Sequence, residues 1–216
     1  MNKSLRTIGE EYWEYQLETS PLTALMLGDH RYGDRFDEQS REAEDRNIAA
    51  LRDFAARAEA IDPADLETEE RITREVLMFE ASTNAAAAET RQAEFAVNHV
   101  IGFQALMPVI APQLPIETAE HAEQLISMYG EMARGLDEMS DRIREGIENG
   151  RTPPRYAVGE TIKQLDEFAA IPLASDPLLA TRVPAEFDEA ATAAWKERLA
   201  GVIESAIRPA IGRYRD

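Results

Sequence analysis

Cysteine is absent from the 216 residues. Its absence removes disulfides, thiolate nucleophiles and cysteine-based metal sites, and it fits a reducing compartment. Lysine is nearly absent too, occurring only at Lys3, Lys163 and Lys196, and the formal charge is -18. Phosphate backbones need a basic stripe, so nucleic acid is excluded as a partner and anionic membrane surfaces are disfavoured. No apolar run approaches the length of a membrane span, and the opening MNKSLRTIGEEYWEYQ has no apolar core of a signal peptide. A cytoplasmic location is expected from these features. Period-two alternation is scarce, so strands are not expected, and no repeat of fixed length stands out.

Catalytic signatures are equally thin. The three histidines, His30, His99 and His121, lie far apart in sequence, and none begins an HExxH motif. There are no paired Glu-x-x-His motifs for a two-metal bundle, no GxSxG elbow and no phosphate-cradling glycine loop. Adjacent acids such as Glu10-Glu11 point to different helix faces and form no acid/base pair. No metal site and no catalytic residue is therefore expected within this chain.

What is present is helical periodicity. Hydrophobic residues make up 44% of the chain, enough for a core. The best-patterned stretch runs from Glu117 to Ala170. Leu125, Tyr129, Met132, Leu136, Met139, Ile143 and Ile147 recur at alternating steps of four and three, which predicts one buried stripe on a helix of about eight turns. Asn149-Gly150 stops it, Thr152-Pro153-Pro154 turns the chain, and a second helix is expected to fold back as a hairpin. Upstream, helices are expected over 3–19, over a short PLTALML segment closed by Gly28, over about 40–61, and over about 65–91 with Ile72, Val76, Leu77 and Phe79 inward. The segment FAVNHVIGFQALMPVIAPQLP is broken by prolines and reads as an irregular piece plus a short helix. A final helix from about 185 carries Trp195, Leu199, Val202, Ala206 and Ala210 on one side, with a kink at Pro209. Together these predict an all-α, antiparallel bundle in a single domain. Its expected parts are 1–116 with the N-terminal helices and irregular segment, the hairpin 117–170, and the connector and last helix 171–216.

Three places invite a functional reading. Asp29, His30, Arg31 and Tyr32 follow a helix stop and could line a cleft, or could form a loop packed by Tyr32 and Phe36 with salt links from Arg31. Arg155 and Tyr156 open a helix behind two prolines, a rigid mount that also reads as a plain turn. Asn98 and His99 sit between apolar segments.

The segments YWEYQLETSPLTALMLGDHRYGDRF, NHVIGFQALMPVIAPQLPIETAEHAE and LDEMSDRIREGIENGRTPPRYAVGETIKQLDEF resemble, in order, the N-terminal half of the bacterial family DUF885, and REGIENGRTPPR is the most specific part. Members are largely helical, longer than this chain and similar to zinc-dependent peptidases whose HExxH helix and third ligand lie in the C-terminal half. The resemblance implies a scaffold and cleft-wall domain, inactive alone, with zinc expected only in that other half and an extended peptide as substrate. Nothing catalytic carries over residue by residue, because the matching positions do not occur here. The apolar side of the last helix, Trp195 to Ala210, is the expected contact for the catalytic half or for self-association. A free-standing helical interaction module without enzymatic activity is the alternative.

Overall fold

The computed structural model describes residues 2–216 and contains no strand among them. The α helices are α1 (Lys3–Thr19), α2 (Pro21–Met26), α3 (Arg41–Glu59), α4 (Thr68–Glu89), α5 (Phe103–Ile110), α6 (Ala119–Glu148), α7 (Arg155–Ala169), α8 (Glu189–Val202) and α9 (Arg208–Arg215). Several starts follow directly from the sequence. Ser40, Thr118 and Asp188 each accept a hydrogen bond from the backbone N–H three residues ahead, satisfying a donor the first helical turn leaves free. Proline opens α2, where its missing N–H costs nothing.

The helices group into two compact units, each with its own core. One comprises residues through Thr19 together with 40–92, and the other 20–39 together with 93–216. In the first unit, Leu5 and Ile8 of α1 pack with Phe54 and Ala58 of α3 and Leu77 and Ala81 of α4. Tyr12 meets Phe54 edge-on at 5.5 Å. The inward face of α4 differs from expectation. Arg74, Leu77, Ala81 and Ala85 are buried, whereas Ile72, Val76 and Phe79 are 60%, 53% and 66% exposed. Arg74 turns inward because it finds acceptors there. Its Nε and Nη2 donate to the carbonyls of Ile61 and Glu59, 3.0 and 2.9 Å away, at the C-terminal end of α3, where free carbonyls and the helix dipole attract a cation. Arg91 closes α4 with φ 58°, a left-handed position that usually goes to glycine, and its guanidinium spans Glu44 at 2.5 Å and Asp45 at 2.6 Å on α3.

The second unit is built around α6. Leu125, Met128, Tyr129, Met132 and Leu136 have no exposed surface. The Tyr129 hydroxyl donates to the Leu178 carbonyl at 3.0 Å, and burial keeps that phenol protonated far above its usual range. In the last two turns the stripe rotates: Met139 and Ile143 are half-buried and Ile147 is exposed, while Arg142 and Gly146 face inward. The expected hairpin does not close on itself either. After the corner, α7 packs against α9 and α5, and α9 is the element that packs along α6. The last helical segment carries a π turn at Ile203–Ile207 immediately before Pro209. Proline has no N–H and its ring clashes with the carbonyl four residues back, and widening the preceding turn relieves both problems.

The face expected to receive a partner is already occupied. Trp195, Leu199 and Ala210 are buried, Val202 and Ala206 pack against the same core, and the Trp195 indole donates to the Ala122 carbonyl at 3.0 Å. The apolar periodicity of this helix is answered within the chain.

The α6 end is a Schellman motif: Gly150 at φ 72° donates to Ile147 O, and Arg151 N donates to Gly146 O at 2.7 Å. A Cβ on Gly146 would stand 2.8 Å from the Glu94 carbonyl carbon and 2.9 Å from Arg151 O, both backbone atoms that cannot step aside cheaply. Gly146→Ala should therefore destabilise the protein by about 3 kcal/mol. Gly159→Ala on α7, where nothing lies within 4 Å, should stabilise it by about 0.5–1 kcal/mol. Urea denaturation of the two variants beside the parent checks the pair.

Candidate functional site

The proposed site residues gather at two places in the second unit. At the first, Asp29 ends the α2 stop and forms a 3-10 turn over His30–Tyr32, its carboxylate accepting from Arg31 N at 3.1 Å. The same carboxylate holds the Arg31 guanidinium at 2.6 Å, and this hydrogen bonding keeps Asp29 below the ordinary carboxylate range. The Arg31 and Arg35 guanidinium carbons lie 5.5 and 5.6 Å from the Tyr32 ring centre. Behind the turn, Phe36 is buried against Gly135 of α6, so the packed-loop reading accounts for Phe36 and for Arg31.

That reading leaves out His30. Its ring stacks on His121 with centroids 3.4 Å apart and planes 5° from parallel, which joins two residues 91 positions apart in the sequence. His121 sits in the first turn of α6, where its N–H donates to the Thr118 hydroxyl and its Nδ1 accepts from Glu117 N at 3.3 Å. His30 Nδ1 is buried without a hydrogen-bond partner, and the His30 carbonyl accepts from Gln124 Nε2 at 3.3 Å. Desolvation first, and then the neighbouring His121, push the His30 imidazole below its ordinary range, against the opposing pull of Glu117 and Asp29. The pair does not fit a zinc site. Each ring directs its lone pairs within its own plane, and two stacked parallel planes do not converge on one ion. Among the described residues no group of three or more His, Asp or Glu side chains is arranged to hold a metal.

At the second place, the structure brings together residues named separately from the sequence. The His99 ring meets Tyr156 edge-on at 5.3 Å, so the irregular segment and the start of α7 share one surface. Asn98 fixes the loop by accepting from Val100 N at 2.7 Å and Ile101 N at 3.1 Å. Two glutamines that no sequence motif marked hold it from behind. Gln104 of α5 donates to Asn98 O at 3.0 Å and to Gln164 Oε1 at 2.9 Å, and Gln164 of α7 donates to His99 O at 2.9 Å. A Cβ on Gly102 would meet the Gln104 amide at 2.6 Å, so glycine lets the loop lie flat on that relay. The tip shows apolar side chains to solvent: Val100 is 64% and Ile101 63% exposed, beside exposed Arg155 and a Tyr156 exposed to 69%. The arrangement sets exposed apolar side chains and an exposed aromatic ring on a loop held by glutamine hydrogen bonds.

Gln164 carries two of the three links, so Gln164→Ala should cost about 1–2 kcal/mol and raise amide exchange at Val100 and Ile101. Arg155→Ala, at an exposed position, should stay within about 0.5 kcal/mol. Hydrogen exchange with urea titration tests both.

This architecture has a solved counterpart, a candidate lipoprotein from Colwellia psychrerythraea, with a TM-score of 0.84 and 14% sequence identity. The match takes in 100% of this chain and 41% of that one, so the present chain spans less than half the length of its structural neighbour. At that identity the likeness concerns the fold alone. No curated protein matches the sequence. The family model described as bacterial protein of unknown function matches residues 21–216, which takes in both the His30 turn and the His99–Tyr156 surface. The chain belongs to the DUF885 family.

Proposed function

We propose that this chain is the helical scaffold and one wall of a substrate cleft in a protein similar to helical zinc peptidases, with the metal and its ligands on further polypeptide. The observation that carries the reading is the contact of His99 with Tyr156. It sets two exposed β-branched side chains of the loop near an exposed aromatic ring, with exposed Arg155 next in sequence, a composition suited to holding an extended peptide by its side chains and backbone. The structural neighbour supports it by showing this fold as 41% of a longer chain. The contact between scaffold and catalytic part then falls on exposed surface, since Trp195, Leu199 and Ala210 are buried.

Among the described residues no helix is long and apolar enough to cross a membrane. The lack of cysteine favours the cytoplasm, whereas the neighbour is a candidate lipoprotein. Fractionation of the native protein separates the two.

A second reading, a helical interaction module without enzymatic activity, draws on the outward stripe Ile72, Val76 and Phe79 of α4, a non-polar face on a surface helix with steps of four and three. In a longer member of the family with measurable hydrolysis, alanine at the positions matching Arg155 and Tyr156 should lower kcat/KM at least about tenfold. Activity within about twofold of the parent overturns the cleft-wall reading. For the module reading, sedimentation of this chain should show self-association that Phe79→Glu removes; a monomer at all concentrations counts against it.

A further inference from the structure

We propose that the stacked His30 and His121 rings form a pH-sensitive latch between the Asp29–Gly33 turn and the first turn of α6, closed while both imidazoles are uncharged and opened by their protonation. The geometry leaves little room for charge. Two neutral rings stack comfortably at 3.4 Å with a 5° tilt, but two imidazolium cations at that separation repel face to face with no water between them. The polar atoms of both rings are already placed. His121 Nδ1 accepts a hydrogen bond from Glu117 N beside the first turn of α6. His30 Nδ1 is buried with no acceptor beside it.

The charged groups around the pair do not reverse this. On the turn itself, Asp29 is committed to Arg31 through its side chain and backbone. Before α6, Glu117 favours the protonated form. From the segment preceding α8, the Glu186 carboxylate accepts from Ala119 N and is thereby held to the α6 terminus. His30 still sits below its ordinary range, with desolvation the largest cause. A depressed histidine contributes stability that is complete above its unfolded value, about 6.5, and that is lost as pH falls from there through the folded value. Acidification therefore loosens the turn, and neutral pH closes it. What the latch holds is specific: the His30 carbonyl accepts from Gln124 of α6 and from Gly33 N, and Tyr32 O accepts from Arg35 N.

Amide hydrogen exchange, expressed as protection relative to the intrinsic rate at each pH, tests the latch in the full chain. Between about pH 7.5 and about pH 5, protection at Gly33 and Arg35 should fall at least about tenfold in the parent. In His121→Phe, which keeps a ring to stack but cannot be protonated, it should change less than about threefold. An unchanged parent, or an equal loss in the variant, overturns the proposal. So does a simultaneous loss at Leu125 and Met132, which would mark general acid unfolding. If His121→Phe does not fold, the NMR titration of the parent decides: a His30 midpoint below about 6.5 supports the latch and one at or above it overturns it.

Discussion

Glu94 has no exposed surface, and the corner of the second unit is built around it. Its carboxylate faces Arg151, whose Nε lies at 2.5 Å, and Arg142 at 3.6 Å, itself only 1% exposed and paired on its other side with Glu145. Burying an isolated carboxylate is expensive, and a buried ion pair recovers that cost only when both partners are held in good geometry. Here the geometry is held from three directions. Arg142 projects from the body of α6, Arg151 follows the Schellman turn, and Gly146 brings the α6 backbone against the Glu94 main chain itself. Each element constrains the others. The glycine permits the approach, the approach excludes water, and the exclusion of water makes the charge pairing specific to one arrangement of the chain.

The consequences run down the sequence. With residue 151 fixed, Pro153 and Pro154 have little freedom in where they deliver the chain, and α7 starts at Arg155 on a set line. That line puts Tyr156 against His99 and, further along, Gln164 against the Asn98–His99 loop. The His99–Tyr156 surface thus rests on a buried charge cluster that contributes no group to it. The stretch REGIENGRTPPR, residues 144–155, carries much of this corner. Just ahead of it Arg142 supplies a buried cation, and within it Gly146 supplies a backbone without Cβ, Gly150 a left-handed φ and Arg151 a second cation.

The helices were legible because periodicity and punctuation agree. Ser40, Thr118 and Gly150 mark boundaries by local chemistry, and the middle of α6 buries the residues its spacing names. Pairings between distant segments were not legible. Nothing local relates His30 to His121 or Gln104 to Gln164, since each pair exists only after packing decides which turns meet. Asn98 and Tyr156 were visible as polar or aromatic residues in exposed-looking places, but their common surface depends on the Glu94 corner. The hairpin expectation failed for a related reason. A tight turn shows that the chain reverses, not that the two helices touch, and α9 takes the place along α6 that a simple hairpin would give to α7.

The inward and outward faces of α4 show where a count of apolar residues misleads. Its apolar side chains at 72, 76 and 79 point out, and an arginine, a leucine and two alanines point in. The face toward α3 is chosen by closeness of approach: Ala81 and Ala85 have no exposed surface, and small side chains let two backbones come near enough for Arg74 to reach the carbonyls ending α3. Burying Ile72, Val76 and Phe79 instead would hold the helices apart and leave those carbonyls to water. The cost of the arrangement is an apolar stripe on the surface of an otherwise strongly acidic chain, whose net charge of -18 opposes nonspecific association. Under the interaction-module proposal, the partner would have to match the spacing of that stripe and tolerate the acidic surroundings.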